Sequence, residues 1–425
     1  MDYFRYKSGR LFAEDVDVRQ IVEAVGTPCY IYSKATFLDH LARLQHAYSS
    51  IESLVCFSVK ACANIHILRL LSDAGSGFDV VSGGELFRVL KAGADPKKVV
   101  YAGVGKTDDE IRQAINAGIG YFNVESEQEL QNLIEIAERD RRSVKAALRV
   151  NPDVEYQTHA YTATGKKQTK FGIDIEQTVG VFEQYGRHPR VRLCGLHIHL
   201  GSGGKQTSPY VEAVEKVVPL IEDLRKLGFM IELLDIGGGY GAEYESGSVP
   251  SPDDYASAIL PILADKDLKL ILEPGKSICA NAGILVTKVL YTKQSGGKRF
   301  VIVDAGMNDL IRPALYDAFH FIWPVEVPEG LVPVRRSRKL LFDGLQVVDV
   351  VGPICEGADF FAKDRPLPLV NRSDLLVIFT AGAYGFTMSS NYNARPRPPE
   401  ILVDRDSFRI IRRRETYQDL VAPEQ

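Results

Sequence analysis

Between residues 52 and 275, short β-branched runs alternate with amphipathic, helix-like stretches, and the alternation passes through eight runs. They are SLVCFSVKA, GFDVVS, KVVYAG, GYFNVE, KAALRV, LCGLHIHLGS, ELLDIGGG and LKLILEPG. Each is followed by helix-like sequence except the last, which leads into a new kind of segment. A strand reaches a parallel neighbour only through a long crossover, so this rhythm specifies a parallel sheet built from βα units. Eight such units are the number that closes into a (β/α)8 barrel. Several helix starts carry their own signals. Thr107 with Glu110 and Ser126 with Glu129 read as capping boxes, and Ser251 precedes Pro252 at a first helical position.

After residue 280 the pattern changes to Val-rich runs with Gly and Pro turns (GILVTKVLYT, RFVIVDAG, DLLVIFTAGAYG), which read as a mostly β domain. The first 28 residues are expected to join it. The expected organisation is an α/β chain with a barrel over 29–279 and a second domain made of 1–28 and 280–425. With 425 residues, 45% hydrophobic and 25% charged, the chain has the apolar content for two cores.

Composition also removes function classes. A net charge of -4 supplies no global attraction to nucleic acid or to an anionic membrane. The basic run from Arg335 to Lys339 reads as a solvated loop. No uninterrupted apolar stretch is long enough to span a bilayer, and the opening MDYFRYKSGRLFAEDVD lacks the apolar core of a signal peptide. The six cysteines (Cys29, Cys56, Cys62, Cys194, Cys279, Cys355) form no CxxC pair, so neither a zinc ribbon nor a disulfide framework is indicated. A cytoplasmic, reducing setting is expected.

Barrel enzymes place their chemistry at the C-terminal ends of strands, and the unusual residues of this chain gather there. In SLVCFSVKA a period of two sets Val55, Phe57 and Val59 toward outer helices and points Ser58 and Lys60 the other way, with Lys60 over the barrel mouth. A lysine is ordinarily a surface residue. At the end of an apolar strand, desolvation and nearby cations lower an amine's pKa, which imine formation needs. Gly237, Gly238 and Gly239 after ELLDI exceed what a tight turn requires and let backbone N–H groups approach a phosphate. GGGYG lacks the spacing of a dinucleotide fingerprint, and GVGKT at 103–107 has Val100 where a P-loop needs glycine.

His197 and His199 share one face of the sixth run, the pattern of a barrel metal hydrolase. Such a site draws further histidines from later strand ends. His320 is the only one after His199 and lies outside the eight runs, so no metal is expected. A flat imidazole at His199 suits stacking on an aromatic cofactor, and Ser202 offers a hydroxyl to a phosphate. Glu273, ending LKLILEPG, either pairs at the surface or faces a pyridine nitrogen and keeps it protonated.

Taken together, CFSVKACAN, FDVVSGGEL, HIHLGS, DIGGGYG, EPGK, MNDLIRPALY, GPICEGAD and AGAYGFTMSSNYNARPRPPE resemble the fold type III pyridoxal-phosphate decarboxylases, specifically the diaminopimelate decarboxylase group. The match runs over nearly the whole chain. The resemblance implies an alanine-racemase-like architecture of barrel plus β domain, assembled as a homodimer with active sites at the subunit interface. It implies pyridoxal phosphate as cofactor and conversion of meso-2,6-diaminopimelate to L-lysine and CO2, the last step of lysine biosynthesis.

By the same resemblance Lys60 matches the lysine that bonds the cofactor, His199 the residue that stacks on its ring, and Glu273 the partner of its pyridine nitrogen. Gly239 and the backbone of Glu273, Pro274, Gly275 and Lys276 match the phosphate grip, and Tyr384 a contact to both cofactor and substrate. Cys355 matches the proton donor and Glu356 its substrate-binding neighbour, both supplied across the interface. Arg312, Tyr316 and Glu356 suit the second amino acid centre of the substrate. Two departures stand out. Lys276 occupies a position where the family usually has arginine, and Cys355-Glu356-Gly357 stands where it reads CES. Arginine grips a carboxylate bidentately and lysine only as a point charge, so the first bears on how a substrate carboxylate is held. Decarboxylases of ornithine, arginine or carboxynorspermidine share the cofactor machinery. A pyridoxal-phosphate carrier would lack the second domain, and a metal-dependent hydrolase would need the missing histidines.

Overall fold

All eight runs form strands: Ser53–Ser58, Gly77–Val80, Val99–Tyr101, Tyr121–Val124, Val144–Asn151, Val191–His197, Leu233–Asp235 and Lys269–Leu272. In this computed structural model, which describes residues 2–154, 169–201, 203–247, 249–340 and 342–424, each strand pairs in parallel with the next. The eighth then pairs with the first, Leu270 opposite Ser53 and Leu272 opposite Val55. Closure leaves no unpaired edge.

Alternation along the strands decides what fills the centre. Cys56, Val100, Tyr121, Ala147, Cys194, Leu233 and Ile271, from seven different strands, pack as one buried cluster with Leu54 against it. Residues from strands all around the closed sheet meet only in its interior. Gly195 is the tight point of that packing, because a Cβ there would stand 2.4 Å from Leu233 Cγ. Helices follow the strands, among them Ile65–Asp73, Gly83–Ala92, Asp108–Ala117, Glu127–Arg139, Ser208–Lys226 and Pro252–Leu263.

The predicted caps are mostly present. Thr107 and Glu110 make both bonds of a capping box, and Ser251 makes another with Asp254. At Ser126 only half of the expected box forms. The Ser126 hydroxyl accepts from the Glu129 N–H, while the Glu129 carboxylate takes the N–H of Glu125 and the Lys106 ammonium instead. A charged donor outcompetes the cap's own N–H for that carboxylate.

The chain divides into two units, one of His40–Gly241 and Val249–Ser277, which is the barrel, and the other of Met1–Asp39, Ala242–Ser248 and Ile278–Gln425. The second unit is built on a nine-stranded sheet whose spine is the long strand Gly283–Ser295. That strand pairs antiparallel with Lys298–Val303, Leu375–Ile378 and Cys29–Ser33. Cys29–Ser33, placed with the barrel in the sequence reading, therefore lies in this sheet, with Glu400–Asp404 on its other side. All five of its residues are buried, and a strand flanked on both sides gives the same continuous apolar run as a barrel strand. A small sheet of Phe4–Lys7, Arg10–Ala13 and Val16–Asp17 belongs to the same unit. All six cysteines are free thiols, and Cys355 alone is exposed. No helix among the described residues is long and apolar enough to cross a membrane.

Ile271, fully buried in the barrel interior, tests the closure. Ile271→Ala is expected to lower the free energy of denaturant-induced unfolding by about 2–5 kcal/mol, the usual cost of a cavity left by a large aliphatic side chain. A loss below about 1 kcal/mol would contradict an interior position.

Candidate active site

The first strand ends at Ser58, and Val59–Ala61 forms a single 3-10 turn that carries Lys60. Lys60 thus sits just beyond the strand, not on it. Pairing with the second strand stops at Ser58 opposite Asp79, and without a ladder partner the chain turns. The turn sets Lys60 Nζ 2.5 Å from Asp79 Oδ2, with the lysine side chain 35% exposed and the aspartate fully buried. Ser58 Oγ lies 2.8 Å from the same Oδ2 and 2.8 Å from the Glu273 carbonyl oxygen. Burial and the charge of Glu273 push the Asp79 carboxyl up, against the pull of Lys60. Close by, burial raises Glu85 to about 7.

Across the mouth the fourth, seventh and eighth strands each end in a buried polar group. Asn123 Nδ2 donates to Asp235 Oδ2 at 2.9 Å and to Glu273 Oε1 at 3.0 Å. Asp235 Oδ1 accepts from the Gly237 N–H at 2.9 Å, and His197 Nε2 stands 3.4 Å from Glu273 Oε2. Burial opposes charge on Glu273, but His197, then Lys60 and His199, hold its carboxyl below the usual range. Burial and the charge of Glu273 drive Asp235 well above it. The two neighbouring carboxyl groups are thus pushed in opposite directions, Glu273 toward its charged form and Asp235 away from it.

His197, Asp235 and Glu273 also form a grouping that could hold a metal ion, with ligand atoms all within 4.8 Å of one another. The sequence reading expected none. Each of the four carboxylate oxygens in this grouping faces an N–H donor or the His197 ring.

His199 stands over the glycine run. The Gly238 N–H donates to His199 Nδ1 at 3.1 Å, so in the neutral ring Nε2 carries the hydrogen. A Cβ on Gly237 would come within 2.6 Å of that Nδ1, one on Gly238 within 2.1 Å of the Glu273 carbonyl, and one on Gly239 within 2.2 Å of the Gly201 carbonyl. The three glycines are therefore required by packing of protein on protein, and the result is a loop of bare backbone at the strand ends. Burial, and next the charge of Arg149, hold His199 well below its ordinary pKa.

Arg149, Asp79, Asn123 and Asp235 were missed in the sequence, although each lies at or near a strand end, the same signal that singled out Lys60. Arg149 Nη1 pairs with Glu125 Oε1 at 2.8 Å, while its Nε and Nη2 are buried and have no partner among the described residues. Ser277 Oγ, directly after EPGK, is likewise buried without one. These unpaired donors, the bare glycine backbone, the Lys60 amine and the ionised Glu273 match what pyridoxal phosphate presents: anionic oxygens, an aldehyde and a ring nitrogen. The residues present fit that cofactor.

The β unit carries the remaining candidates. Arg312 is buried at the start of the helix Arg312–Tyr316, with Tyr316 half-buried at its end. Tyr384 is half-buried with a left-handed φ of 53°. Cys355 and Glu356 are exposed on a loop tied down by the Asn393 side chain, which accepts from the Cys355 N–H at 2.8 Å. On the barrel unit Pro274 is buried, Gly275 and Lys276 are half-buried, and Ser202 lies outside the described residues.

Residues 34–280 match the family described as pyridoxal-dependent decarboxylase, pyridoxal binding domain. Over 422 residues the chain is 46% identical to the diaminopimelate decarboxylase of Aquifex aeolicus, covering 99% of this chain and 97% of that protein. The chain belongs to the diaminopimelate decarboxylase family. Its member from Pseudomonas aeruginosa is 46% identical over 424 residues, covering 100% of this chain and 99% of the other. Among solved structures, diaminopimelate decarboxylase from Helicobacter pylori complexed with L-lysine superposes with a TM-score of 0.90 at 38% identity, over 96% of this chain and 99% of that one. The family member from M. jannaschii in complex with L-lysine gives 0.92 at 37% identity, over 100% and 98%. A lysine/ornithine decarboxylase from Vibrio vulnificus, 24% identical with a TM-score of 0.77, shares the fold. The full-length family matches take in both units, whereas the pyridoxal-binding family ends with the barrel.

His199 provides a direct check on the electrostatics. Its ring resists protonation in the folded state, so its contribution to stability is present above the ordinary histidine pKa of about 6.5 and is lost as pH falls below it. In a proton-detected titration of the eight histidines, the His199 resonance, assigned with a His199→Gln variant, is expected to stay flat through pH 6.5. An inflection near 6.5 would refute the assigned environment.

Proposed function

We propose that the chain is a pyridoxal-phosphate-dependent carboxy-lyase that converts meso-2,6-diaminopimelate to L-lysine and CO2. The observation that carries this reading is the arrangement at the barrel mouth: the Lys60 amine 2.5 Å from Asp79, beside the bare backbone of Gly237–Gly239 and a buried Glu273 that accepts from Asn123 and faces His197.

When bound, pyridoxal phosphate supplies an electron-poor ring that takes up the electron pair left behind by departing CO2. The protein's residues prepare and direct that chemistry. Lys60 offers its amine as the covalent attachment, and Asp79 holds the amine in place until then. Glu273 would serve the ring nitrogen as an anionic partner and favour its protonated state, with Asn123 orienting the carboxylate and His197 favouring its charged form. His199, held neutral by burial, would stack on the ring without adding charge. Gly239, Gly275 and Lys276 offer backbone N–H groups to the phosphate and Ser202 its hydroxyl, Pro274 fixes the bend between Glu273 and Gly275, and Gly237 and Gly238, whose own N–H groups are taken by Asp235 and His199, keep the loop free of side chains. Arg149, with two unpaired buried N–H donors, adds a cation on the same rim.

Arg312 and Tyr316, with Lys276, take the substrate's distal carboxylate, Glu356 its distal ammonium, and Tyr384 contacts both cofactor and substrate. Cys355 returns a proton to the α-carbon after CO2 leaves. Cys355 and Glu356 are exposed on the single chain, as residues that serve a neighbouring subunit must be, and we assign the enzyme as a homodimer with shared active sites. Six free thiols agree with a reducing, cytoplasmic location.

Release of CO2 from meso-diaminopimelate and little from ornithine is the expected result, since ornithine has no distal carboxylate for Arg312. Equal or faster turnover of ornithine would overturn the substrate assignment. Cys355→Ala should lower turnover by about 10²–10⁴-fold, the usual loss with a general acid. Full activity in that variant would remove Cys355 from the mechanism.

A further inference from the structure

We propose that His320 and Tyr244 orient the Arg312 guanidinium, and that this positioning is what selects substrates with a second carboxylate. The proposal rests on the assignment of Arg312 to the distal carboxylate.

His320 is completely buried and lies 2.9 Å through Nδ1 from the carbonyl oxygen of Phe379. A carbonyl only accepts, so Nδ1 carries the hydrogen and Nε2 presents a lone pair. That lone pair faces Arg312 Nη1 at 3.2 Å, and the Tyr244 hydroxyl oxygen faces the same Nη1 at 2.5 Å. The two hydrogens on Nη1 are thereby both used. The guanidinium carbon lies 4.6 Å from the centroid of the Tyr244 ring, and the Tyr244 and His320 rings meet edge to face at 89°. Arg365 Nη1 donates to the His320 carbonyl at 2.8 Å and fixes the backbone behind the ring. Burial, and next the Arg312 charge, push His320 down to about 3, so it stays an acceptor at any working pH.

Both hydrogen bonds of the Arg312 side chain to described residues run through Nη1. With Nη1 pinned, the remaining edge presents two parallel N–H groups, the fork that a carboxylate accepts bidentately. A guanidinium freed from His320 and Tyr244 keeps its charge but loses that fixed direction. It would still attract an anion and would no longer demand the geometry of a carboxylate.

The test uses the cofactor-loaded enzyme and four variants: His320→Phe, His320→Gln, Tyr244→Phe and Arg312→Lys. His320→Phe is expected to raise KM for meso-diaminopimelate by about 10- to 100-fold, the range for losing a hydrogen bond to a charged group, with kcat within about 3-fold. The inhibition constant of L-lysine should rise in parallel. That of cadaverine, which has no carboxylate, should stay as in the unaltered enzyme. His320→Gln, whose amide oxygen reaches the place of Nε2, should recover most of the loss, which a merely space-filling role would not predict. If His320→Phe does not fold, Tyr244→Phe carries the same comparison. An unchanged KM in these variants alongside a raised KM in Arg312→Lys would overturn the positioning role and leave the substrate reading intact. An unchanged KM in Arg312→Lys would overturn the substrate reading itself, and the proposal with it.

Discussion

The pairing of the eighth barrel strand with the first, Leu270 opposite Ser53, is the constraint on which the candidate site depends. An open sheet of the same eight strands would spread its C-terminal ends along a line. Closure brings them to one rim, so that Ser58 of the first strand reaches the Glu273 carbonyl after the eighth, and Asn123 of the fourth reaches both Asp235 and Glu273 of the seventh and eighth. The apolar interior of Cys56, Val100, Tyr121, Ala147, Cys194, Leu233 and Ile271 stabilises the ring of strands. The charged rim is placed by that ring.

What the rim holds is costly for a fold and useful for chemistry. Buried carboxylates lose hydration that their partners only partly return. Here each buried anion is compensated individually: Asp79 by Lys60 and Ser58, Glu125 by Arg149, Glu273 by Asn123 and His197. The compensation is incomplete at Arg149 Nε and Nη2, Asp79 Oδ1 and Ser277 Oγ. Buried ionisable groups with displaced pKa values and unfilled hydrogen-bonding capacity concentrate where a protein is shaped for a ligand. The barrel mouth meets that description on both counts.

Much of this was legible in the sequence because it is local. The βα rhythm, the caps at Thr107 and Ser251, and the rare residue types at strand ends all sit within a few residues of the signal that reveals them. The boundary at Cys29–Ser33 was not, since a strand buried between two others reads alike in either sheet. Lys60 falls in the turn beyond the strand because the ladder ends at Ser58 opposite Asp79, a partner 21 residues away. Asn123, Asp235 and Arg149 were passed over because an amide or a charged group in an apolar run is informative only once its partner is known, and Asn123 finds Asp235 and Glu273 at separations of 112 and 150 residues. In the sequence His320 stands out only as a candidate metal ligand. Its acceptor role depends on a carbonyl 59 residues away and on Arg312, which no spacing rule connects to it. The resemblance to fold type III decarboxylases singled out individual residues as candidates, and the structure added the contacts around Lys60, His199 and Glu273.

The central claim is that Lys60 is the lysine that carries the cofactor. Borohydride reduction of the pyridoxal-phosphate-loaded enzyme, followed by proteolysis and mass spectrometry, tests it most directly, because reduction makes the lysine-bound cofactor permanent. The account predicts a single phosphopyridoxyl group on the peptide that contains Lys60. The same group on Lys276 or any other lysine, with the Lys60 peptide unmodified, would contradict it.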